Sequence, residues 1–337
     1  MKRSVGRRLL RGRQGPSARV GAPAPPPCYP RRLSVPPLTR LRRALRTVAL
    51  RGLVALLAHL PLRAAMALGT LVSAVAWRTA GRTRRRMLAQ LEVAFPELSP
   101  LGREARGRGA LRHLTWLAAE MLAVRSYDAA LEAYVTFAPG SEARLRALLA
   151  PGRGLVMVSG HIGHWELLAR RLVRAGVPCA SVARSGTSPV LHALLSRFRA
   201  ESGFDVLLRD DPGTARAIIR CLRQGKLLGL LIDQDTDVQG VFVPFFGRAA
   251  WTPRAAGDLA LRFQAPVAVI WSRRRGPAAG DGHELTVEAV PYDAAAADQG
   301  AESVRITARC TALLEAAIRA RPEEWVWMHE RWRTRPA

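Results

Sequence analysis

GLVMVSGHIGHWELL, residues 154–168, predicts a buried strand that ends at a histidine. The run from Leu155 to Val158 is short, apolar and partly β-branched, which is typical of a central strand in a parallel sheet. Gly160 and Gly163 free the backbone on both sides of His161, and an apolar-periodic helix follows. Because α/β sheets bind ligands where their strands end, His161 is expected to face solvent or substrate.

A histidine at a strand terminus, with an acid five positions later, is typical of a general base. A carboxylate such as Glu166 can hold the imidazole in one tautomer, and the ring then takes a proton from a hydroxyl group or water. Core or surface placement is the alternative for a lone histidine, but the flanking glycines and Glu166 favour catalysis by His161. His164 is the alternative candidate for the base. It lies only two residues before Glu166, and side chains two residues apart on a helix do not face each other.

Three motifs of other enzyme classes are missing from the sequence. There is no GxSxG nucleophile motif, no GxGxxG turn and no GKS/T phosphate loop. Direct transfer with His161 as base therefore fits better than a covalent enzyme intermediate. The four cysteines form no CxxC pair, so neither a zinc site nor a disulfide framework is indicated, and a reducing compartment is the simpler expectation.

A second group of candidate residues follows the strand predicted at 227–232. Asp233, Asp235 and Asp237 alternate along the chain, but the stretch lacks the glycine and the final glutamate of a calcium loop. Asp233 comes first after the strand, so we expect it to point into the same cleft as His161. Arg248 is a candidate for a phosphate or carboxylate group, with simple solvation as the alternative.

Three phenylalanines lie between these acids and Arg248. Phe242, Phe245 and Phe246 could form an apolar wall for an acyl chain, and core packing explains any one of them equally well.

Strand and helix patterns alternate beyond residue 154, and residues 101–150 have helix-like leucine spacing. The predicted strands are 177–183, 204–208, 227–232, 266–271 and 284–290, and the predicted helices are 165–175, 189–200, 212–223 and 253–263, the last opened by Thr252 and Pro253. This alternation predicts an α/β fold with a mostly parallel central sheet flanked by helices.

The positive charge is concentrated at the N-terminus. Residues 1–91 contain 20 Lys and Arg and no acid, which accounts for most of the net charge of +26. The Arg- and Pro-rich residues 1–45 predict a disordered basic tail. Residues 46–80 are largely apolar and flanked by arginines, so we expect a membrane-anchoring helix or hairpin, with a pair of soluble core helices as the alternative. The longest charge-free piece, 64–77, is too short to span a bilayer of roughly 30 Å as a helix.

Three segments together resemble the lipid A biosynthesis (late) acyltransferase family, within the lysophospholipid-acyltransferase-like proteins. They are SGHIGHWELLAR, LLGLLIDQDTDVQGVFVPFFGRAAWTP and the C-terminal PEEWVWMHERWRTRP, and they occur in the family's order. QLEVAFPELS, from Gln90 to Ser99, is also similar to a family segment, with Gln90 in place of the usual asparagine. The similarity runs from about Leu45 to the C-terminus.

The resemblance implies a glycerolphosphate-acyltransferase-like fold over residues 81–337 and an enzyme that needs no metal and no bound cofactor. The implied reaction moves a fatty acyl chain from an acyl carrier protein thioester to a hydroxyl group of a glycolipid at the cytoplasmic face of the inner membrane. The resemblance implies that His161 is the base and Glu166 its orienting carboxylate. It also implies that Asp233 is the family's acid after the fourth strand. The family's arginine before the next strand corresponds to Arg197 or Arg199.

Three further expectations accompany the resemblance. Backbone amides near Gly160 to Gly163 could stabilise the developing oxyanion, since they precede a helix. A phosphatidylinositol mannoside or an amino-acid lipid is the alternative acceptor for the same motif. A nucleic-acid-binding protein remains the least favoured alternative, because aromatic residues are scarce among the basic clusters and no nucleic-acid-binding motif follows.

Overall fold

The computed structural model describes residues 59–184 and 189–336, together with positions 48 and 52. The predicted basic tail, residues 1–45, and most of the apolar segment before residue 59 lie outside the described residues. The expectations for those two parts of the chain therefore stay predictions.

A seven-stranded, mostly parallel sheet forms the centre of the protein, as predicted. Its strands in chain order are β1 (Val135–Phe137), β2 (Leu155–Ser159), β3 (Cys179–Ala183), β4 (Asp205–Leu208), β5 (Leu227–Leu231), β8 (Val267–Arg274) and β9 (His283–Ala289). The spatial order is β1-β9-β8-β2-β5-β3-β4. Strands β8, β2, β5, β3 and β4 are mutually parallel, whereas β9 and β1 run the opposite way, with β9 antiparallel to β8. The central pair is thus β2 and β5, the two strands that carry the predicted site.

Ten α-helices whose bounds lie within the described residues accompany the sheet. They are α1 (Leu62–Thr79), α2 (Gly81–Ala94), α3 (Pro100–Leu122), α4 (Leu131–Tyr134), α5 (Ser141–Leu149), α6 (Trp165–Arg174), α7 (Pro189–Ser202), α8 (Thr214–Arg223), α9 (Ala255–Phe263) and α10 (Gln299–Ala320). Helices α6, α7 and α8 each connect one parallel strand to the next, which is the crossover pattern expected of a parallel sheet.

The alternation of side chains along β2 explains why this strand is apolar throughout. Val156 and Val158 join the apolar cluster on one face of the sheet, and Leu155 and Met157 join the cluster on the other. Because both faces are covered, every residue of β2 is buried. This core fixes the strand ends at which the candidate site forms.

The helices before the sheet pack closely on one another. Gly107 of α3 lies so near Trp77 of α1 that a Cβ there would come within 2.6 Å of the indole ring. The indole of Trp116 in α3 donates to the Thr70 hydroxyl at 2.8 Å. Within the described part of the chain, no helix is both long enough and apolar enough to cross a membrane.

One local prediction was wrong. Residues around Thr252 and Pro253 do not open a helix: they end β7 (Arg248–Pro253), which forms an antiparallel hairpin with β6 (Gly240–Phe245). Thr252 followed by Pro253 resembles a helix cap and first turn. In the structure, however, Thr252 Oγ1 donates to the Ala250 carbonyl within the hairpin and caps no helix. Helix α9 begins only at Ala255.

Candidate active site

His161 and Asp233 meet at the carboxyl ends of the two central strands. Ser159 of β2 is paired with Leu231 of β5, and each strand is followed by the site residue two positions later. His161 Nδ1 lies 2.9 Å from Asp233 Oδ1, and the His161 backbone amide donates to Asp233 Oδ2 at 2.6 Å. The expectation that Asp233 shares a cleft with His161 is therefore confirmed by direct contact.

The carboxylate of Asp233 is buried and fully engaged. Its Oδ2 also accepts a hydrogen bond from the indole of Trp325 at 2.7 Å. Burial tends to raise the pKa of this carboxyl, but the nearby His161 and the three donors to the carboxylate outweigh that effect and lower the pKa. An ionised Asp233 accepts at Oδ1, so His161 carries its proton on Nδ1 and presents the lone pair of Nε2. The imidazole is 25% exposed, which leaves it accessible to a substrate.

Glu166 does not orient His161, so that part of the prediction was wrong. Its carboxylate is buried and accepts from Arg199 of α7, with Nε donating at 3.0 Å to Oε2 and Nη2 at 2.5 Å to Oε1. Glu166 lies in the first turn of α6, and Asp233 already occupies the nitrogen that Glu166 was expected to hold. The carboxylate five residues away in sequence thus anchors an arginine, and the one 72 residues away contacts the His161 imidazole.

The structure separates the two arginine candidates. Arg199 pairs with Glu166, whereas Arg197 is exposed and donates to Glu201 one helical turn further on, at 2.9 Å. Arg248 opens β7 as an exposed side chain that contacts neither His161 nor Asp233. Arg199 is therefore the predicted arginine that the fold joins to the site.

His164 has a structural position. It is 1% exposed, its Nδ1 accepts from the Leu167 amide at 3.2 Å as the N-cap of α6, and its own amide donates to Ser272 Oγ. Burial holds the pKa of His164 well below its usual value, so the ring is neutral. A buried helix cap cannot serve as the base, which leaves His161 as the candidate.

The turn between β2 and α6 is held by hydrogen bonds on every side. The Gly163 amide donates to the Glu324 carbonyl at 2.9 Å, and the Gly163 carbonyl lies 3.2 Å from Nε2 of His113. The amides of His161, Gly163 and His164 all donate within the protein. These three amides are therefore not free to receive an oxyanion, so the prediction fails for His161 and Gly163 and stays a prediction for Gly160 and Ile162.

The phenylalanine wall is mostly core. Phe245 and Phe246 are 1% and 5% exposed and pack against the tryptophans of the C-terminal segment, whereas Phe242 is half-buried against Trp251. The alternative explanation, core packing, therefore holds for Phe245 and Phe246.

Sequence reasoning missed the role of the C-terminal segment, residues 325–334, which we call the strap. It begins at Trp325, which pairs with Ile162 in an isolated antiparallel bridge within the turn between β2 and α6. It ends where Arg333 Nη2 and the Thr334 amide donate to the buried carboxylate of Asp235, at 3.2 and 2.7 Å. The four consecutive apolar residues from Trp325 to Met328, two of them tryptophans, could have predicted that this segment is buried.

The strap also brings positive charge near the site. Arg331 is fully buried and donates to Trp251 O and Thr252 Oγ1, both in the β6–β7 hairpin, and no carboxylate pairs with it among the described residues. His329 lies within electrostatic range of Asp233 and His161, and burial lowers its pKa.

A buried polar cluster supports the site from the other side. Glu120 of α3 accepts two hydrogen bonds from Arg274, at 2.9 and 2.8 Å, and is joined by His283 Nε2 at 2.9 Å and the Tyr134 hydroxyl at 2.5 Å. The Arg274 amide in turn donates to the Glu324 carboxylate. This cluster ties α3, β8 and β9 to Glu324, whose carbonyl accepts from Gly163 in the turn between β2 and α6.

Comparison with known proteins places these features in one family. The family profile for bacterial lipid A biosynthesis acyltransferase matches residues 36–334 of this chain. A lipid A biosynthesis lauroyltransferase of Escherichia coli is 25% identical over 295 residues, which cover 85% of this chain and 90% of that protein.

Two shorter similarities point the same way. A lipid A biosynthesis acyltransferase of Haemophilus influenzae is 28% identical over 184 residues, 54% of this chain and 57% of that protein. A phosphatidylinositol mannoside acyltransferase of Mycolicibacterium smegmatis is 28% identical over 119 residues, 35% of this chain and 39% of that protein.

Proposed function

Because this chain belongs to the bacterial lipid A biosynthesis acyltransferase family, we propose that it moves a fatty acyl chain from an acyl carrier protein thioester to a hydroxyl group of a glycolipid such as a lipid A precursor. Family membership makes the chain an O-acyltransferase that acts on a lipid acceptor. The thioester donor, the particular acceptor and the residue roles are the proposal. The observation that carries it is the contact of His161 with a buried, ionised Asp233 at the ends of two parallel strands.

In the proposed reaction His161 is the general base. Its Nε2 accepts the proton of the acceptor hydroxyl while Asp233 holds Nδ1–H and stabilises the imidazolium that forms. The hydroxyl oxygen attacks the thioester carbonyl, and collapse of the tetrahedral intermediate breaks the carbon–sulfur bond. The imidazolium returns its proton to the leaving sulfur, so the products are an ester and a free thiol, with no net gain or loss of protons.

The Glu166–Arg199 pair has a separate part in this scheme. Arg199 is 21% exposed at its side chain, and Glu166 holds the guanidinium by two of its nitrogens. A guanidinium fixed in this way is suited to an anionic group of the substrate, such as a phosphate. Arg199 is thus proposed as a substrate-binding residue, positioned by Glu166.

We also propose association with the cytoplasmic face of the inner membrane. The support is the apolar segment at 46–80 and the arginines around it, in a region without any acidic residue before Glu92. Each basic residue near an anionic bilayer contributes about 1 kcal/mol of attraction.

Mass spectrometry of acyl transfer tests the proposed function. The full chain is incubated with acyl carrier protein loaded with a fatty acid and with either a lipid A precursor or a phosphatidylinositol mannoside. We expect one added acyl mass on a glycolipid acceptor, and the acceptor that gains it names the substrate class. Absence of transfer to every glycolipid tested would contradict the proposal.

Variants assign the base in the same assay. His161→Ala is expected to lower turnover by about a thousandfold, the order of loss typical when a general base is removed. His59 is exposed and makes no hydrogen bond or ion pair among the described residues, so His59→Ala serves as the matched control and should turn over normally. Near-normal activity of His161→Ala would disprove the assignment.

A further inference from the structure

Arg331 of the strap is a buried cation without a carboxylate in contact. Its side chain is fully buried, and its two terminal nitrogens donate to the Trp251 carbonyl and to Thr252 Oγ1, at 2.5 and 2.6 Å. Nε has no hydrogen-bond partner, and no acid among the described residues forms an ion pair with the guanidinium. Because a buried charge without a counter-ion in contact destabilises a fold, packing alone does not explain an arginine at this position.

Two carboxylates lie near Arg331 but are bound to other groups. Asp233 and Asp235 are both buried and within electrostatic range of the guanidinium. The donors to Asp233 belong to His161 and Trp325. The donors to Asp235 belong to the last residues of the strap. The charge of Arg331 therefore acts on Asp233 through space, in a buried region where water and salt screen it weakly.

Aromatic rings fix the position of this charge. The Arg331 guanidinium lies over the ring of Phe245, 4.9 Å from its centroid. The rings of Phe245 and Trp325 are 5.8 Å apart, and the Trp325 indole donates to Asp233 at 2.7 Å. Since both rings are buried, these contacts keep the cation at a fixed distance from the Asp233 carboxylate.

The other charged and titratable groups around the His161–Asp233 pair leave no further unpaired charge within the described residues. His329 of the strap lies within electrostatic range of both members of the pair, but burial lowers its pKa and keeps the ring neutral. Ion pairs offset the charges on neighbouring elements, and these are Arg333 with Asp235 and Arg199 with Glu166. Arg331 is thus the cation beside the pair that no carboxylate contacts.

We propose that Arg331 is a positioning residue for the reaction, and that its fixed charge opposes the binding of an extra proton by the His161–Asp233 pair. A nearby positive charge disfavours the protonated imidazole, so Nε2 keeps the lone pair that accepts the proton of the acceptor hydroxyl. The inference rests on the proposed function, because it gives Arg331 a part in preparing the base of that reaction.

Titration of the His161 ring by ¹⁵N NMR tests this charge effect in the full chain without any substrate. Arg331→Met removes the charge, so the midpoint of the His161 titration should move to higher pH by about one pH unit. Burial lowers the pKa of Arg331 only to about 10, and the same burial leaves a lysine charged in the range where histidines titrate. Arg331→Lys should therefore titrate like the parent. If Arg331→Met does not fold, Arg331→Gln replaces it, since glutamine keeps a donor for the Trp251 carbonyl.

Arg171→Met is the matched control for loss of a buried arginine. Arg171 is also buried, donates to the Val135 carbonyl at 2.9 Å and lies over the Phe137 ring at 4.8 Å. Among the described residues it has no ion pair and contacts neither His161 nor Asp233. Its loss should leave the midpoint of the His161 titration in place.

Three outcomes of the titration would overturn the proposal. The first is an unmoved midpoint in folded Arg331→Met. The second is an equal movement in Arg331→Lys, which would assign the effect to the shape of the guanidinium and not to its charge. The third is an equal movement in Arg171→Met, which would assign it to general destabilisation.

Acyl transfer supplies a second readout that a purely structural role would not give. At a pH below the midpoint, Arg331→Met should lose about tenfold in kcat, with recovery at high pH and an unchanged KM for the acceptor. Loss of kcat at every pH would overturn the proposal. A midpoint that moves as predicted in a protein that transfers no acyl chain would contradict the proposed function and not the charge effect of Arg331.

Discussion

At the scale of single residues, the site depends on how the two oxygens of Asp233 are shared. Oδ1 faces His161 Nδ1, and Oδ2 accepts from both the His161 amide and the Trp325 indole. A carboxylate with three donors is held in one rotamer and stays ionised despite its burial. Trp325 therefore positions the carboxylate that holds His161, the proposed base.

Trp325→Phe tests this positioning role. The substitution keeps an aromatic ring but removes the donor to Asp233, so the pKa of Asp233 should rise. We expect roughly a tenfold loss of turnover, with the acidic limb of the pH–rate profile displaced to higher pH. Trp327→Phe is the matched control, because Trp327 is equally buried but donates to the Pro322 carbonyl instead. If the acidic limb of the pH–rate profile moved equally in both variants, Trp325 would contribute only through packing.

At the scale of elements, the turn between β2 and α6 requires a glycine at position 163. Gly163 has a φ of 55°, and a Cβ on it would overlap the carbonyl oxygen of Ser272 in β8. The turn thus packs backbone against backbone, which brings the start of α6 onto the sheet. Sequence reasoning identified this glycine as a backbone feature, but the neighbour that requires it lies more than a hundred residues later.

Gly163→Ala should therefore lower the free energy of unfolding far more than a glycine-to-alanine substitution at another position with a similar φ. We expect a loss of about 3 kcal/mol or more in the free energy of unfolding, because the overlap is with backbone atoms that cannot move aside. Gly152→Ala is the control: its φ is 70°, but a Cβ there meets nothing within 4 Å, so only the backbone penalty of about 1–2 kcal/mol applies. Urea titration gives the free energy of unfolding of both variants. Similar losses in the two would contradict the predicted overlap at Gly163.

The elements also show how far a sequence can predict this fold. The parallel strands β2, β3, β4, β5 and β8 could be predicted because buried parallel strands are short apolar runs between helices with clear periodicity. The β6–β7 hairpin could not, since Thr252 and Pro253 are as typical of a helix start as of a strand that ends at a proline. The partner of His161 could not either. Spacing along the chain favours Glu166, but the pairing of β2 with β5 brings Asp233 closer.

At the scale of the whole molecule, several buried histidines make stability depend on pH. Burial lowers the pKa of His113 to about 3, and burial likewise lowers those of His164 and His283. These rings are neutral in the folded protein, whereas the unfolded chain binds protons below its ordinary histidine pKa of about 6.5. Stability is therefore lost as the pH falls below about 6.5.

One acid acts in the opposite direction. Burial raises the pKa of Glu324 to about 7, so its ionisation destabilises the fold as the pH rises through the range from 4.5 to 7. Burial also lowers the pKa of His329, so four histidines oppose a single glutamate and we expect a net loss of stability on acidification. The low pKa values of Glu120 and Asp233 add to this loss only at more acidic pH.

His113→Gln should flatten this pH dependence. Glutamine keeps a donor for the Gly163 carbonyl but does not titrate, so the variant should lose about 2 kcal/mol less than the parent between about pH 6.5 and pH 5. Free energies of unfolding from urea titrations at the two pH values check this. His59→Gln, at an exposed position, should change nothing, and an unchanged pH dependence for His113→Gln would contradict the account.

The central claim is that Asp233, and not Glu166, fixes the tautomer of His161. In Asp233→Asn, the two donors at Oδ2 require the amide oxygen there, which leaves the NH₂ group facing His161 Nδ1. Nδ1 must then accept, so the ring proton moves to Nε2 and the base is lost. Glu166→Gln, in contrast, changes only the group that holds Arg199.

Nitrogen NMR of ¹⁵N-histidine-labelled protein measures this directly, with His161→Ala to assign the signal. The account predicts Nδ1–H in the parent protein and in Glu166→Gln, and Nε2–H in Asp233→Asn. Asp237→Asn, at an exposed position of the same loop, should match the parent. A ring proton that stays on Nδ1 in Asp233→Asn, or that moves to Nε2 in Glu166→Gln, would contradict the claim.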